Sequence, residues 1–286
     1  MAGLRVSPPR IFPEATRSSR PPAEAPGSPD AHRQTGFVLG EDLDVVLRGL
    51  NLEGAIAQAS AGSKYRNQVV ASILAFWSRS WLSRLQALHA VEWGNYASAF
   101  PLVRAAVDYQ AAAANMLESE AAEWDEWLES GGITAAHEHH ATEFRFAPFR
   151  SAETLVADDE LGALYRAASD FAMPAFATTL TLAGSESSPQ RVLVTFGDRD
   201  FHLALAEVLL GWLATLSSLQ LRTIAGSGRF NIEEPDKVEK FQQGVRRAVD
   251  RRDRGRVEEF EEDGARRYLL HNWRRTPGSA AKRILL

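Results

Sequence analysis

The stretch Tyr96–Leu117 reads Tyr-Ala-Ser-Ala-Phe-Pro-Leu-Val-Arg-Ala-Ala-Val-Asp-Tyr-Gln-Ala-Ala-Ala-Ala-Asn-Met-Leu, and it constrains the fold more than any other part of the chain. Alanine has the highest helix propensity, and so small a side chain lets a neighbouring helix approach closely. Arg104 and Asp108 stand one turn apart within it, and with Asn115 they trace a polar stripe beside Phe100, Val103, Val107 and Leu117. If that stripe faces a second helix, the charges must be hydrogen-bonded, because an unpaired buried charge costs several kcal/mol. The expectation is an ion pair fixing helix register, with a guanidinium ready for an anionic ligand as the sharper alternative. Arg104, Asp108 and Asn115 are therefore the candidate ligand-binding residues.

The rest of the chain also has helical periodicity. Glu41–Ser60 carries Leu43, Val46, Leu47 and Leu50, and Lys64–Trp93 repeats Val69, Ile73, Phe76, Trp77, Trp81, Leu85 and Leu88 at three and four. Gly94-Asn95 stops this second helix, and a third runs from Tyr96 to Glu129, kinked near Pro101. Ile133–Arg145 reads as helix and Phe144–Arg150 as an extended connection; helices follow over Leu155–Phe171 and Pro174–Leu182. Arg191–Phe196 is the one strand-like run, with a helical turn nearly as compatible. Asp200 is the expected cap of an apolar helix from Phe201 to Ala225, and the charge runs within Pro235–Asp263 suggest a solvated face. The predicted architecture is all-α: a multi-helix bundle over residues 37–263, a disordered Pro/Arg/Ser-rich tail over 1–36, and an extended C-terminal strap over 264–286.

Composition narrows the function. The chain has 286 residues, 45% of them hydrophobic and 24% charged, enough for one large core. Its formal charge of -5 disfavours a whole-protein grip on nucleic acid, leaving only a local basic patch. Without cysteine it can form neither a disulfide nor a thiolate metal site, and it suits a reducing cytosol. Leu203–Leu221 is long and apolar, but Glu207 and Gln220 interrupt it, so it reads as a core helix and no membrane is expected as a partner. The prolines of the first 36 residues would break a transit-peptide helix, and no apolar signal segment stands there. A cytoplasmic protein without a cofactor is expected.

Three groups of residues could carry chemistry. His137, His139 and His140 lie close together, but on a helix each face offers two ligands and neither offers a clear third. His137 and His140 are thus the only metal candidates, and no metal is expected. Arg84 and His89 have the four-to-six-residue Arg–His spacing of HEPN-type ribonucleases, as do Arg266 and His271. Two such pairs are no more than chance supplies for 7 histidines in an arginine-rich chain. Arg84 and His89 are the catalytic candidates, with convergence on His202 and Arg104 as the discriminating observation. Finally, Phe144, Phe146 and Phe149 interleave with Arg145 and Arg150, a composition that could stack bases or cover a core. Trp124 and Trp127, at i and i+3 on an acidic helix, suggest a packing or self-association face.

Ala97–Asp108, with small residues leading to Leu102-Val103-Arg104 and then an acidic residue, resembles a helix of an uncharacterised family of bacterial helical proteins. That family is itself similar to HEPN-like and abortive-infection proteins. Tyr165–Pro174 is a second partial match, with Met173 where the related pattern places histidine. The resemblance spans residues 64–225 and implies an all-helical fold, with RNA cleavage or toxin-like activity as its functional corollary. The reading reached is a helical binding or interaction module without catalytic activity. Its expected partners are a second copy of the chain or an unidentified small molecule or protein. The alternatives are a HEPN-type RNA-cleaving protein and a metal-carboxylate bundle enzyme.

Overall fold

The computed structural model describes residues 14–60, 67–135, 142–150 and 152–286. Among them the helices are α1 (Pro29–Val38), α2 (Gly40–Ala59), α3 (Gln68–Glu92), α4 (Tyr96–Glu118), α5 (Ala122–Glu129), α6 (Ala152–Ala157), α7 (Asp159–Ala172), α8 (Phe176–Ala183), α9 (Leu203–Ser227) and α10 (Pro235–Val249). The strands are β1 (Ile133–Ala135), β2 (Thr142–Phe144), β3 (Arg256–Glu262), β4 (Ala265–Trp273) and β5 (Lys282–Leu285). The fold is mostly helical, with a small antiparallel sheet at its C-terminal end.

Helices α3 and α4 form the most extensively packed pair, and the turn between them explains why. Gly94 takes φ +72°, and a Cβ there would lie 2.4 Å from the Arg199 carbonyl oxygen, so both conformation and space demand glycine. Beyond it the alanines of α4 do what their size allows. Ala99, Ala106, Ala111, Ala112 and Ala113 are buried, with Phe100 stacked on Phe171 of α7 at 4.6 Å. Helix α9 threads the centre, packed by α2, α3, α4, α7 and α10. It alone among the described helices is long and apolar enough to cross a membrane, yet 83% of its apolar window is buried inside this protein. Its burial all around is that of a bundle's core helix.

Several expectations need correction. Residues 14–36 are not a loose tail. The Ala15 N–H donates to Asn51 Oδ1 at 2.6 Å, Arg17 Nε to Glu92 at 2.7 Å, and Trp93 Nε1 to Ser19 O at 3.0 Å. Ser28 then caps α1, with Pro29 at the first helical position. The prolines here suit an extended strap bound by backbone and side-chain hydrogen bonds. Residues 1–13 lie outside the described residues.

Helix α4 runs through Pro101 and ends at Glu118, because Glu120 and Ala121 take left-handed φ of 54° and 65° and separate α5 from it. Of the helix expected over 133–145, the described residues 133–135 and 142–144 form instead the antiparallel pair β1–β2, registered Ile133↔Phe144. The turn Gly131-Gly132 enters it, and β-branched Ile133, Thr134 and Thr142 favour strand. Helix α9 begins at Leu203 with His202 at its cap position, and no side chain caps it; Asp200 pairs with Arg275 at 2.9 Å.

The all-α expectation holds for most of the chain, and the C-terminus adds a small sheet to it. The charged segment before residue 263 and the expected strap after it join as a hairpin, β3–β4, with β5 added on the far edge. Asp263 and Gly264 both take positive φ between the paired Glu262 and Ala265, a two-residue turn of the kind Asp-Gly favours. Tyr268, Leu270 and Trp273 of β4 are buried against the helices.

Candidate functional site

The residues expected to carry function separate in space. Arg104 faces α7, where Nε donates to Ser169 Oγ at 3.3 Å and Nη2 to the Tyr165 hydroxyl at 3.1 Å. Asp108 lies 3.5 Å from Arg104, and both side chains keep about a third of their surface. Burial pushes the Asp108 carboxyl up from its usual range, against the smaller downward pull of Arg104. The pair is therefore a partly exposed clasp between α4 and α7, short of the buried register pin expected. Asn115 lies further along and donates to Glu123 at 3.2 Å.

Arg84 is fully buried. Its two terminal nitrogens each lie 2.6 Å from an oxygen of Glu53, one of them also 2.9 Å from Ser217 Oγ, while Trp77 Nε1 donates to the same carboxylate at 2.6 Å. Glu53, Arg84 and Ser217 all show no exposure, so α2, α3 and α9 meet on a closed polar centre that no substrate reaches. His89 faces elsewhere, its Nε2 2.9 Å from the Thr16 carbonyl. His202 sits at the start of α9, its ring 4.2 Å from that of Trp273, with both ring nitrogens buried and unpartnered. Burial and the nearby Arg275 hold its pKa down at about 4. Arg84, His89, Arg104 and His202 thus have different neighbours. His137, His139 and His140 lie outside the described residues, and among the described ones no group of three or more His, Asp or Glu is placed to hold a metal.

A second buried polar cluster fastens the sheet to the bundle. Arg254 is paired with Asp42, and the Gly255 N–H donates to Glu207 at 2.7 Å. Burial raises the Glu207 carboxyl despite that bond and Arg274 beside it. Opposite charges here are matched within the protein.

A recess able to take a ligand lies on the flank, where α3, α5 and the segment after β2 meet. It is a cleft of ≈ 710 Å³ walled by Phe76, Trp124, Trp127, Phe144, Phe146 and Phe149. Ligand sites commonly hold a few hundred to about a thousand Å³ and are lined mainly by apolar and aromatic groups. Local chemistry shapes it. Trp124 and Trp127 share a face of α5 with ring centroids 5.5 Å apart, and Phe76 meets Trp124 edge-on at 6.2 Å. Trp127 Nε1 donates to the Arg145 carbonyl at 3.0 Å, fastening the Phe144–Arg150 segment across the opening. A Cβ on Gly132 would meet the Trp127 ring at 2.4 Å, so glycine lets the indole lie flat there. Phe146 is nonetheless 95% exposed, an aromatic ring without an internal partner.

Glu123 and Glu126 of α5 face Arg145 and Arg150 across the lining. Arg145 Nη1 donates to Ser130 O at 3.1 Å and Arg150 lies 3.7 Å from Glu126. The cleft is thus aromatic, with carboxylates on the α5 wall and arginines on the other, and α5 adds Asp125 and Glu129 outside it. Sequence reading found the tryptophan pair and the Phe/Arg interleaving separately; their convergence needed the turn at Gly131-Gly132. No protein-family model, no characterised protein and no solved structure matches this chain.

Proposed function

We propose that the protein is a helical binding module, without chemistry of its own, whose aromatic cleft takes a proline-rich, arginine-bearing segment of a partner protein. The observation that carries this reading is the ≈ 710 Å³ cleft with aromatic walls beside the acidic α5. Proline-rich chains are already ordered as polyproline helices, so they lose little entropy on docking, and their rings pack well on Trp and Phe faces. An arginine on such a segment would find carboxylates on α5 and an exposed ring for stacking at Phe146.

The catalytic alternatives have less support. A HEPN-type ribonuclease would need its arginine where RNA can reach it, and Arg84 is enclosed by Glu53 and Ser217.

Titration of the tryptophan fluorescence with a synthetic proline peptide carrying arginine tests the proposal. Saturable binding is expected, weakened about tenfold or more by Phe146→Ala, which removes a ring without disturbing the core; tenfold corresponds to about 1.4 kcal/mol. A peptide with glycine in place of proline should bind poorly. Tighter binding of single-stranded RNA than of the peptide, or no response to Phe146→Ala, would overturn the reading.

A further inference from the structure

The segment between α8 and α9 presents apolar side chains to solvent in an arrangement that matches itself. Helix α8 buries Thr178 and Thr181 and turns Phe176 and Leu180 outward. Beyond it, Val192, Leu193, Val194 and Phe196 are exposed, Phe196 completely. Short soluble helices usually bury their apolar side and expose threonine. Here the order is reversed, and the two exposed groups adjoin. A Cβ on Gly184 would lie 3.0 Å from Leu180 Cδ2 and 3.2 Å from the Leu193 carbonyl oxygen.

The backbone shows the same one-sidedness. The Leu193 N–H donates to Ser187 Oγ at 3.0 Å and its carbonyl accepts from the same hydroxyl, while the Thr195 N–H donates to Ala183 O at 2.7 Å. Inward bonds two residues apart are the alternation of an extended chain. Val194 between them, and Val192 and Phe196 on either side, have N–H groups without a hydrogen-bond partner among the described residues, and by the same alternation they face the open side. An edge of this kind, lined by Val and Phe, is a template for another strand.

We propose that this edge pairs with the same edge of a second copy of the chain, antiparallel about a two-fold axis at Val194. That register places Val194 against Val194 and Val192 against Phe196, so the open N–H and C=O groups of one copy meet those of the other. It also sets a β-branched residue beside an aromatic one, a favourable cross-strand pair. A shift by one residue would bring inward-bonded groups to the edge, which excludes it. At their exposed fractions, Phe176, Leu180, Val192, Leu193, Val194 and Phe196 present on the order of 800 Å² per copy, about what each partner of a stable interface buries. An isologous contact closes on itself and leaves no sticky edge for further growth. The cleft at Trp124 and Trp127 shares none of these residues, so one dimer would carry two ligand sites.

The chain contains no cysteine, which makes the test direct. Paired residues of this type have Cα atoms about 5.5 Å apart, within disulfide range. Val194→Cys should give a covalent dimer under mild oxidation, and Leu193→Cys should give far less. Sedimentation of the parent protein should show dimer at micromolar concentrations. Val194→Lys, which sets two ammonium groups side by side at a site exposed in the single chain, should shift it to monomer with unchanged circular dichroism. A parent that stays monomeric at about 100 μM, forms open-ended oligomers, or remains dimeric with Val194→Lys would overturn the proposal.

Discussion

The interior of the bundle and its flank treat polar and apolar groups in opposite ways. Between α2, α3 and α9, Glu53 and Arg84 lie at the centre with their hydrogen bonds directed to each other and to Trp77 and Ser217. On the flank, the β1–β2 pair and α8 are short elements that leave Ile133, Phe144, Phe176 and Leu180 in water. A charge surrounded by its own protein is architecture, since no ligand reaches it. Apolar rings without an internal partner are where the molecule has something left to bind. Ranking candidates by charge, as a sequence invites, leads first to groups that the fold has already paired with one another.

The strongest way to break that contrast is to remove one member of the buried pair. Arg84→Met should cost about 3–5 kcal/mol, because it strands the Glu53 carboxylate without its cation. Adding Glu53→Leu to that variant should recover most of the loss, since a matched apolar pair can replace a buried ion pair. Urea unfolding of both variants measures this. A single-variant loss below 1 kcal/mol would mean the interior is not held as the geometry indicates. Phe146→Ala on the flank should stay within about 0.5 kcal/mol of the parent, as surface changes usually do.

His202 sharpens the contrast through pH. Its ring is buried and unpartnered, with a pKa of about 4 in the folded protein against 6.5 when exposed. Above pH 6.5 the ring is neutral in both states, and the fold keeps its full stability. Between 6.5 and 4 the unfolded chain takes up a proton that the fold refuses, so stability falls as pH falls, by on the order of 3 kcal/mol across the window. Glu207, raised by burial, works in the opposite direction and must be held constant. His202→Phe keeps the ring against Trp273 and removes the titration. The stability difference between parent and variant should therefore change across this window; a difference flat from pH 6.5 to 4 would refute the assignment.

Long-range periodicity made the bundle legible. The repeats in α2 and α3, the cap at Gly94 and the apolar α9 are all local patterns, and each forms close to where its residues indicate. The sheet was hidden because β3 is strongly charged, Arg-Val-Glu-Glu-Phe-Glu-Glu, and its alternation is faint. The Asp263-Gly264 turn was the available signal. The tail was misread because its order depends on Asn51 and Glu92, far away in sequence. Glu53 was passed over for the same reason: nothing near it in the chain reveals that Arg84 lies 31 residues on with its guanidinium against it. The cleft was half visible, as aromatic spacing without the turn that brings the two halves together.

A small effect belongs to the pair that first draws attention. Arg104 and Asp108 are about a third exposed and 3.5 Å apart, the geometry of a surface ion pair worth a few tenths to 1 kcal/mol. Arg104→Met also removes the bonds to Tyr165 and Ser169, but it keeps an apolar stem beside α7. The variant should lose about 1 kcal/mol or less in urea unfolding and bind the proline peptide as the parent does, because Arg104 is not among the residues lining the cleft. A loss comparable to that of Arg84→Met would place α4–α7 contacts on the same footing as the buried centre and erase the distinction between interior and flank. Unchanged stability with lost peptide binding would move the ligand site from the cleft to the α4–α7 clasp.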